Sequence, residues 1–258
     1  YGMPGGGRGE SSVYATSDEM QAELLKYIQT VVDDVVKYPG TMSIGLSGGS
    51  MPKVLGPVLA KLKVDPDRLR LFLVDERLVE YTSPDSNYGA WLAALPEPLH
   101  VCLAGVELVD VNYRPDRNTF PYDIGRSALA YEMKLKNHHV GPEIIGRFPK
   151  FDMIFLGMGP DGHTASIFPG AKLFRLKLDS YAWFVGVEDS PKPPPQRITM
   201  TMQAINAADH VAFICTGEDK APALKQVFDR DSTIPAAHVH PASGKLRFFL
   251  DPPAASRL

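Results

Sequence analysis

The sequence predicts an α/β fold: one open, largely parallel sheet with helices on both faces, in a single domain. Three observations predict it. Short apolar runs rich in β-branched and aromatic residues alternate with segments whose apolar residues recur at helical spacing. The 258-residue chain is 44% hydrophobic and 22% charged, enough apolar material for one large core. Gly-rich loops follow several of the predicted strands, where open α/β sheets bind their ligands.

From the amino terminus, Thr16 and Glu19 form a T-x-x-E capping box ahead of MQAELLKYIQTVVDDVV, and Gly40 ends that helix. TMSIGL reads as a short buried strand running into SGGS, and a helix follows over 51–62. LRLFLVD is a second strand, closed by Asp75, Glu76 and Arg77. SNYGAWLAAL is helical and stops before Pro96, VCLAGVELV is extended, and GRSALAYEMKLKNHH is helical again. In the second half FDMIFLGMG is strand then loop, YAWFVGV and ITMTM are strands, and DHVAFICTG is another. EDKAPALKQVFD is a helix that tolerates Pro222 in its first turn, and LRFFLD closes the set. No repeat of fixed period is present, and the Pro-rich stretches 112–121 and 191–195 are too short to link domains. The alternation implies one Rossmann-like domain over 13–258 behind a flexible Gly-rich leader, 1–12.

Composition excludes several partners. The net charge is −3 with no long basic run, which argues against nucleic acid and anionic membrane surfaces. No apolar stretch reaches the roughly 18 residues of a membrane helix. The two cysteines, Cys102 and Cys215, lack metal-ligand spacing and are too few for a disulfide framework. No metal is therefore expected, and a reducing cytoplasm is the expected compartment. The C-terminal Ser256-Arg257-Leu258 is one Lys-to-Arg change from the S-K-L peroxisomal address and is carried as an alternative destination. A monomer is expected, with weak self-association left open.

The loops carry the chemistry. FLGMGPDGHTAS contains a literal G-x-G-x-x-G at Gly157, Gly159 and Gly162. A nicotinamide site would need a long helix after that turn, but Pro169-Gly170 stops the chain, and Asp179 precedes a strand instead of closing one. What remains is a Gly-rich loop presenting His163 as a candidate base, with Asp161 placed to hold the loop, bind substrate or orient the imidazole. GLSGGS spells G-x-S-x-G, the nucleophile elbow of serine hydrolases, and Asp75 and His163 follow Ser47 in the order of a triad. Yet it comes after the first predicted strand, with no HGGG-type stretch before it. Ser-Gly-Gly-Ser between a strand and a helix also offers an anion the amides and hydroxyls of Ser47, Gly48 and Gly49, and that role needs less. VDER puts two carboxylates and Arg77 at another strand end, either as a salt-bridged turn or as a group for phosphate or an oxyanion. DSPKPPPQR carries Lys192 and Arg197, either as part of the same site or as a polyproline docking segment.

LSGGS, VDERLVEYTSPDSNYG, FLGMGPDGHTASIFPG, SPKPPPQRIT and TGEDKAPAL, in this order, closely resemble the glucosamine-6-phosphate isomerase/6-phosphogluconolactonase family, and the resemblance covers roughly residues 17–252. The amino-sugar-phosphate deaminases of that family share the G-x-D-G-H core but typically carry D-E-Y where Arg77 stands and Asn-Glu-Pro where SIFPG stands. At both places this sequence follows the lactonase pattern; it departs from the usual pattern in 105–122. The resemblance implies hydrolysis of 6-phospho-D-glucono-1,5-lactone to 6-phospho-D-gluconate, the second step of the oxidative pentose phosphate pathway, by a carboxylic ester hydrolase without cofactor. His163, Arg77 and Asp75 are then the catalytic candidates. Ser47, Gly48, Gly49, Asp161, Arg197 and Lys220 are the candidates for holding the anionic sugar-phosphate lactone. Two alternatives remain: an isomerase or deaminase of the same fold, and a non-catalytic sugar-phosphate-binding protein.

Overall fold

The Thr16 side chain accepts the Glu19 amide, and the Glu19 carboxylate accepts the Thr16 amide, so the capping box forms and opens α1, Ser17–Val35. Met20, Leu24, Ile28, Val31 and Val32 make its buried stripe. This computed structural model describes residues 9–38, 40–106, 108, 123–137, 144–145, 148–171 and 182–258. Three more helices position the site or its surroundings: α2 (Met51–Leu59), α3 (Asn87–Ala94) and α4 (Ile124–Asn137).

The strands run in chain order as β1 (Glu10–Val13), β2 (Met42–Leu46), β3 (Leu69–Leu73), β4 (Asp75–Arg77), β5 (Leu103–Ala104) and β6 (Ile144–Ile145). They continue as β7 (Phe148–Pro149), β8 (Met153–Leu156), β9 (Phe184–Val187), β10 (Arg197–Met200), β11 (His210–Cys215) and β12 (Lys245–Leu250). Seven of them form one sheet, ordered β1-β12-β11-β8-β2-β3-β5, and every neighbouring pair in it is parallel. β2 and β8 are buried at every residue, as central strands of a sheet covered on both faces are. The first strand pairs with the last, β1 with β12, which closes the described chain into one domain.

The order of the strands fixes where a ligand can sit. From β2 the chain moves outward to β3 and β5; from β8, the other neighbour of β2, it moves outward the opposite way to β11 and β12. The loops after β2 and β8 therefore part over a crevice at the carboxyl edge, the switch point where open sheets bind ligands. The Ser47 amide bonds the Phe155 carbonyl (3.1 Å) and keeps these two strand ends side by side.

Several expectations need correction. Glu10, Ser11 and Ser12, placed in the flexible leader, belong to β1: Glu10 and Ser11 are exposed and Ser12 half-buried, while the backbone pairs with β12. The rest of the leader, 1–8, lies outside the described residues. The strand expected over LRLFLVD ends at Leu73, and the Asp75-Glu76-Arg77 expected to close it is a separate strand, because β4 leaves the parallel sheet to join an antiparallel one, β4-β10-β9. ITMTM is strand only to Met200; Thr201 takes the Ala204 amide on its side chain and caps a short helix, Met202–Asn206. Among the described residues of VCLAGVELV only Leu103–Ala104 is strand, Val101 and Cys102 ending a 3-10 turn. The helix expected to residue 62 ends at Leu59. His138 and His139 of the predicted helix, the stretch 112–121, Asp179 and Tyr181 lie outside the described residues. No helix among those described is long and apolar enough to cross a membrane.

Candidate active site

Loops following β2, β3, β8 and β11 meet at the carboxyl edge around a cleft of ≈ 250 Å³. After β2 the chain turns through Ser47-Gly48-Gly49-Ser50 into α2. Gly49 adopts φ +67°, which a side chain would resist. A Cβ on Gly48 would stand 1.8 Å from the Asn87 side-chain oxygen, so only glycine lets Asn87 close on the turn. Among the described residues the amides of Gly48, Gly49 and Ser50 have no acceptor, and Ser50 makes no side-chain cap. Three free amides at the start of a nine-residue helix make an anion cradle.

Two buried polar atoms border the same cleft without a partner among the described residues, Ser47 Oγ and Arg77 Nε. Arg77 is otherwise anchored, donating Nη1 to the Asp85 carbonyl (2.8 Å). Its backbone is fixed by Glu76, the second VDER carboxylate, for which the sequence suggested no separate role. The Glu76 carboxylate accepts the amides of Arg77 (2.8 Å), Asn87 (2.7 Å) and Tyr88 (2.7 Å) and the Ser86 hydroxyl (3.2 Å), pinning the VDER turn to the start of α3. Burial pushes its carboxyl up to about 7 despite those donors.

The loop after β8 supplies the imidazole. The Gly159 amide bonds the His163 carbonyl and the Gly162 amide bonds the Gly159 carbonyl, each at 2.9 Å. A Cβ on Gly159 would come 2.0 Å from His163 Nδ1, so that glycine makes room for the ring. The ring packs tilted against Phe168, centroids 4.6 Å apart, and is 18% exposed. His163 Nδ1 lies 2.5 Å from Asp161 Oδ1. An ionised carboxylate only accepts, so Nδ1 carries the proton and Nε2 is left as the basic lone pair. Burial lowers the His163 pKa below its ordinary value, with Lys192 acting the same way; the Asp161 bond and charge oppose this in part. Burial alone would raise the Asp161 carboxyl, but the His163 bond and the charges of His163 and Lys192 together take it below the usual carboxylate range. The geometry and both shifts favour one state at neutral pH: an imidazole held neutral by its surroundings and oriented by an ionised carboxylate.

Of the catalytic candidates, His163 and Arg77 border the cleft as expected. Asp75 borders it too, but its carboxylate accepts the Ser166 hydroxyl (2.7 Å), and its carbonyl takes the Asn87 side-chain amide (2.9 Å). Asp75 ties three loops together. The Ser47-Asp75-His163 order makes no triad, because the carboxylate on the imidazole is that of Asp161. Ser47, Gly48, Gly49 and Lys220 line the cleft, the Lys220 ammonium resting on Asp219 (2.7 Å). Asp161, offered by the sequence as a substrate ligand or as a group to orient the imidazole, takes the second place and commits its carboxylate to His163. Arg197, expected to bind substrate, is buried under the Pro-rich segment with its guanidinium bonded to the Lys192, Pro193 and Pro194 carbonyls. Lys192, carried in the sequence only with the Pro-rich segment and given no role of its own, has its ammonium 3.3 Å from Asp161 Oδ1 and 3.3 Å from His163 Nδ1, at the cleft wall. The prolines that follow it, Pro193 to Pro195, gave the signal: a lysine on a stiffened segment leading into β10.

The chain matches the family model described as glucosamine-6-phosphate isomerases/6-phosphogluconolactonase over residues 15–248. A putative 6-phosphogluconolactonase of Caenorhabditis elegans is 37% identical over 248 residues, which span 95% of this chain and 87% of that one. The 6-phosphogluconolactonase of Rattus norvegicus is 36% identical over 258 residues, spanning 96% and 93%. Among solved structures, 6-phosphogluconolactonase from Trypanosoma cruzi is similar with a TM-score of 0.78 at 29% identity, over 97% of each chain.

Proposed function

The chain belongs to the glucosamine-6-phosphate isomerase/6-phosphogluconolactonase family, and on that premise we infer that His163 activates the water that opens its lactone substrate. The reaction is hydrolysis of 6-phospho-D-glucono-1,5-lactone to 6-phospho-D-gluconate, a step of the pentose phosphate pathway. The observation that carries the mechanism is the His163 imidazole, fixed through Nδ1 on Asp161 and, among the described residues, free at Nε2 beside a cleft bordered by cations and open amides. Nε2 takes a proton from water as the water oxygen bonds to the lactone carbonyl carbon. Charge then builds on the carbonyl oxygen, in a cleft whose wall carries the Lys192 ammonium and loop amides. Collapse breaks the bond from that carbon to the ring oxygen, and the imidazolium returns its proton to the departing oxygen. Arg77, Lys220 and the Ser47-Gly48-Gly49 turn hold the phosphate and orient the sugar.

Arg77→Ala removes a half-buried cation whose buried Nε has no partner among the described residues. Losing one charge-assisted contact costs about 1.5–3 kcal/mol, so kcat/KM falls roughly ten- to a hundredfold, mostly through KM. Wild-type kinetics in that variant would reduce Arg77 to a clamp on Asp85.

A monomer that binds no nucleic acid, in a reducing cytoplasm that suits the free buried Cys102 and Cys215, completes the proposal. Nothing in the fold or the relatives supports Ser256-Arg257-Leu258 as an organellar address. The test is turnover of freshly generated phosphogluconolactone, corrected for spontaneous opening, beside glucosamine 6-phosphate as a second substrate. Lactone loss above background is expected. Turnover of glucosamine 6-phosphate alone would assign isomerase or deaminase chemistry. Stabilisation by sugar phosphates without turnover of either would leave a binding protein.

A further inference from the structure

We propose that Arg197 is a positioning residue, whose guanidinium holds the 192–194 segment so that the Lys192 ammonium stays against the Asp161–His163 pair. Only the catalytic use of that pair rests on the function proposed above. Arg197 is 2% exposed and lies at the start of β10, on the rigid antiparallel sheet. Its Nε donates to the Pro194 carbonyl (3.0 Å), and its Nη2 to the Lys192 (2.9 Å) and Pro193 (3.2 Å) carbonyls. Nη1 reaches Ser166 Oγ (3.4 Å), the hydroxyl that also serves Asp75. Three successive carbonyls on one planar fork leave the backbone at Lys192 little freedom. Ser190 adds a second tie, its hydroxyl donating to the Lys192 carbonyl (2.9 Å) and accepting the Lys192 amide (3.3 Å).

The held ammonium has a definite effect. With Nδ1–H committed to Asp161, Lys192 cannot donate to that nitrogen, so at 3.3 Å its charge acts on the ring through space. It keeps Asp161 ionised and opposes a second charge on the imidazole, so His163 stays a base at lower pH. The other groups facing the ring are the Asp161 carboxylate from its own loop and the Asp75 carboxylate from β4, both favouring protonation. Phe168, which packs on the ring, is itself covered by the Arg197 guanidinium. The test must therefore keep the charge of Arg197 while removing its fork.

NMR titration of the His163 ring provides the test and needs no turnover. Lys192→Met is expected to raise the His163 midpoint. Arg197→Lys, which keeps the charge, is expected to raise it too, and the double variant no further than Lys192→Met alone. If Arg197→Lys does not fold, Ser190→Ala loosens the same segment and takes its place, with a smaller rise expected. A purely structural Arg197 would lower the melting temperature and leave the midpoint where it was. That outcome overturns the proposal, as does an unmoved midpoint in Lys192→Met. A raised midpoint in a protein that does not hydrolyse the lactone would keep this inference and remove the proposed function.

Discussion

In His163→Asn, kcat for the phospholactone falls about 10²–10⁴-fold while folding and substrate binding stay close to wild type. Asparagine occupies similar space and can still bond Asp161, so the Gly159–His163 turn, held by backbone bonds, has no reason to open. What is lost is the only basic nitrogen the loop offers. KM should barely move, because the anion cradle and Arg77 belong to other loops. The variant also loses the pH inflection of the wild-type rate. Near-normal turnover would place the base elsewhere and leave this loop a structural turn.

Asp161→Asn is expected to lower kcat by about 10²-fold or more with KM little changed. The amide can turn its NH₂ toward Nδ1, which drives the ring to the tautomer protonated at Nε2 and blocks the base. Removing the carboxylate also withdraws the charge that favours the imidazolium, so the remaining inflection moves to lower pH. Loss of Lys192 moves it up. The two substitutions thus act on one ring in opposite directions, and an upward move in Asp161→Asn would contradict the assigned hydrogen bond. An unchanged kcat with a raised KM would return Asp161 to the substrate-binding role first expected of it.

Much of this site is legible in the sequence because its parts are backbone devices. Gly48, Gly49, Gly159 and Gly162 sit where a side chain would clash or where φ is positive, and such positions announce themselves as glycine in loops after apolar runs. The parallel strands are legible for the same reason: TMSIGL and FDMIFL are too continuously apolar to face water. The roles of the charged residues were harder to read. Arg197 looked like a substrate ligand because its partners are carbonyls, which every residue has and no sequence displays. Asp75 and Asp161 are both aspartates near His163 in space; Asp161, two residues before the histidine, could be read as its partner, whereas nothing in the sequence showed that the Asp75 carboxylate is taken by Ser166. Glu10 to Ser12 looked like a leader because an edge strand held by backbone pairing needs no apolar side chains.

The central claim is that a neutral His163, kept so by burial and by Lys192, is the base in lactone opening. The most direct measurement is kcat/KM against pH for the wild-type protein on freshly generated lactone, each point corrected for spontaneous opening. A base works only when unprotonated, and its pKa is depressed here, so activity is lost as pH falls through that value and is complete above it. The profile should therefore rise to a plateau through a single inflection below about 6.5, the ordinary histidine value, and be flat at neutral pH. A rate that keeps climbing in proportion to hydroxide, or an inflection above that value, would contradict it.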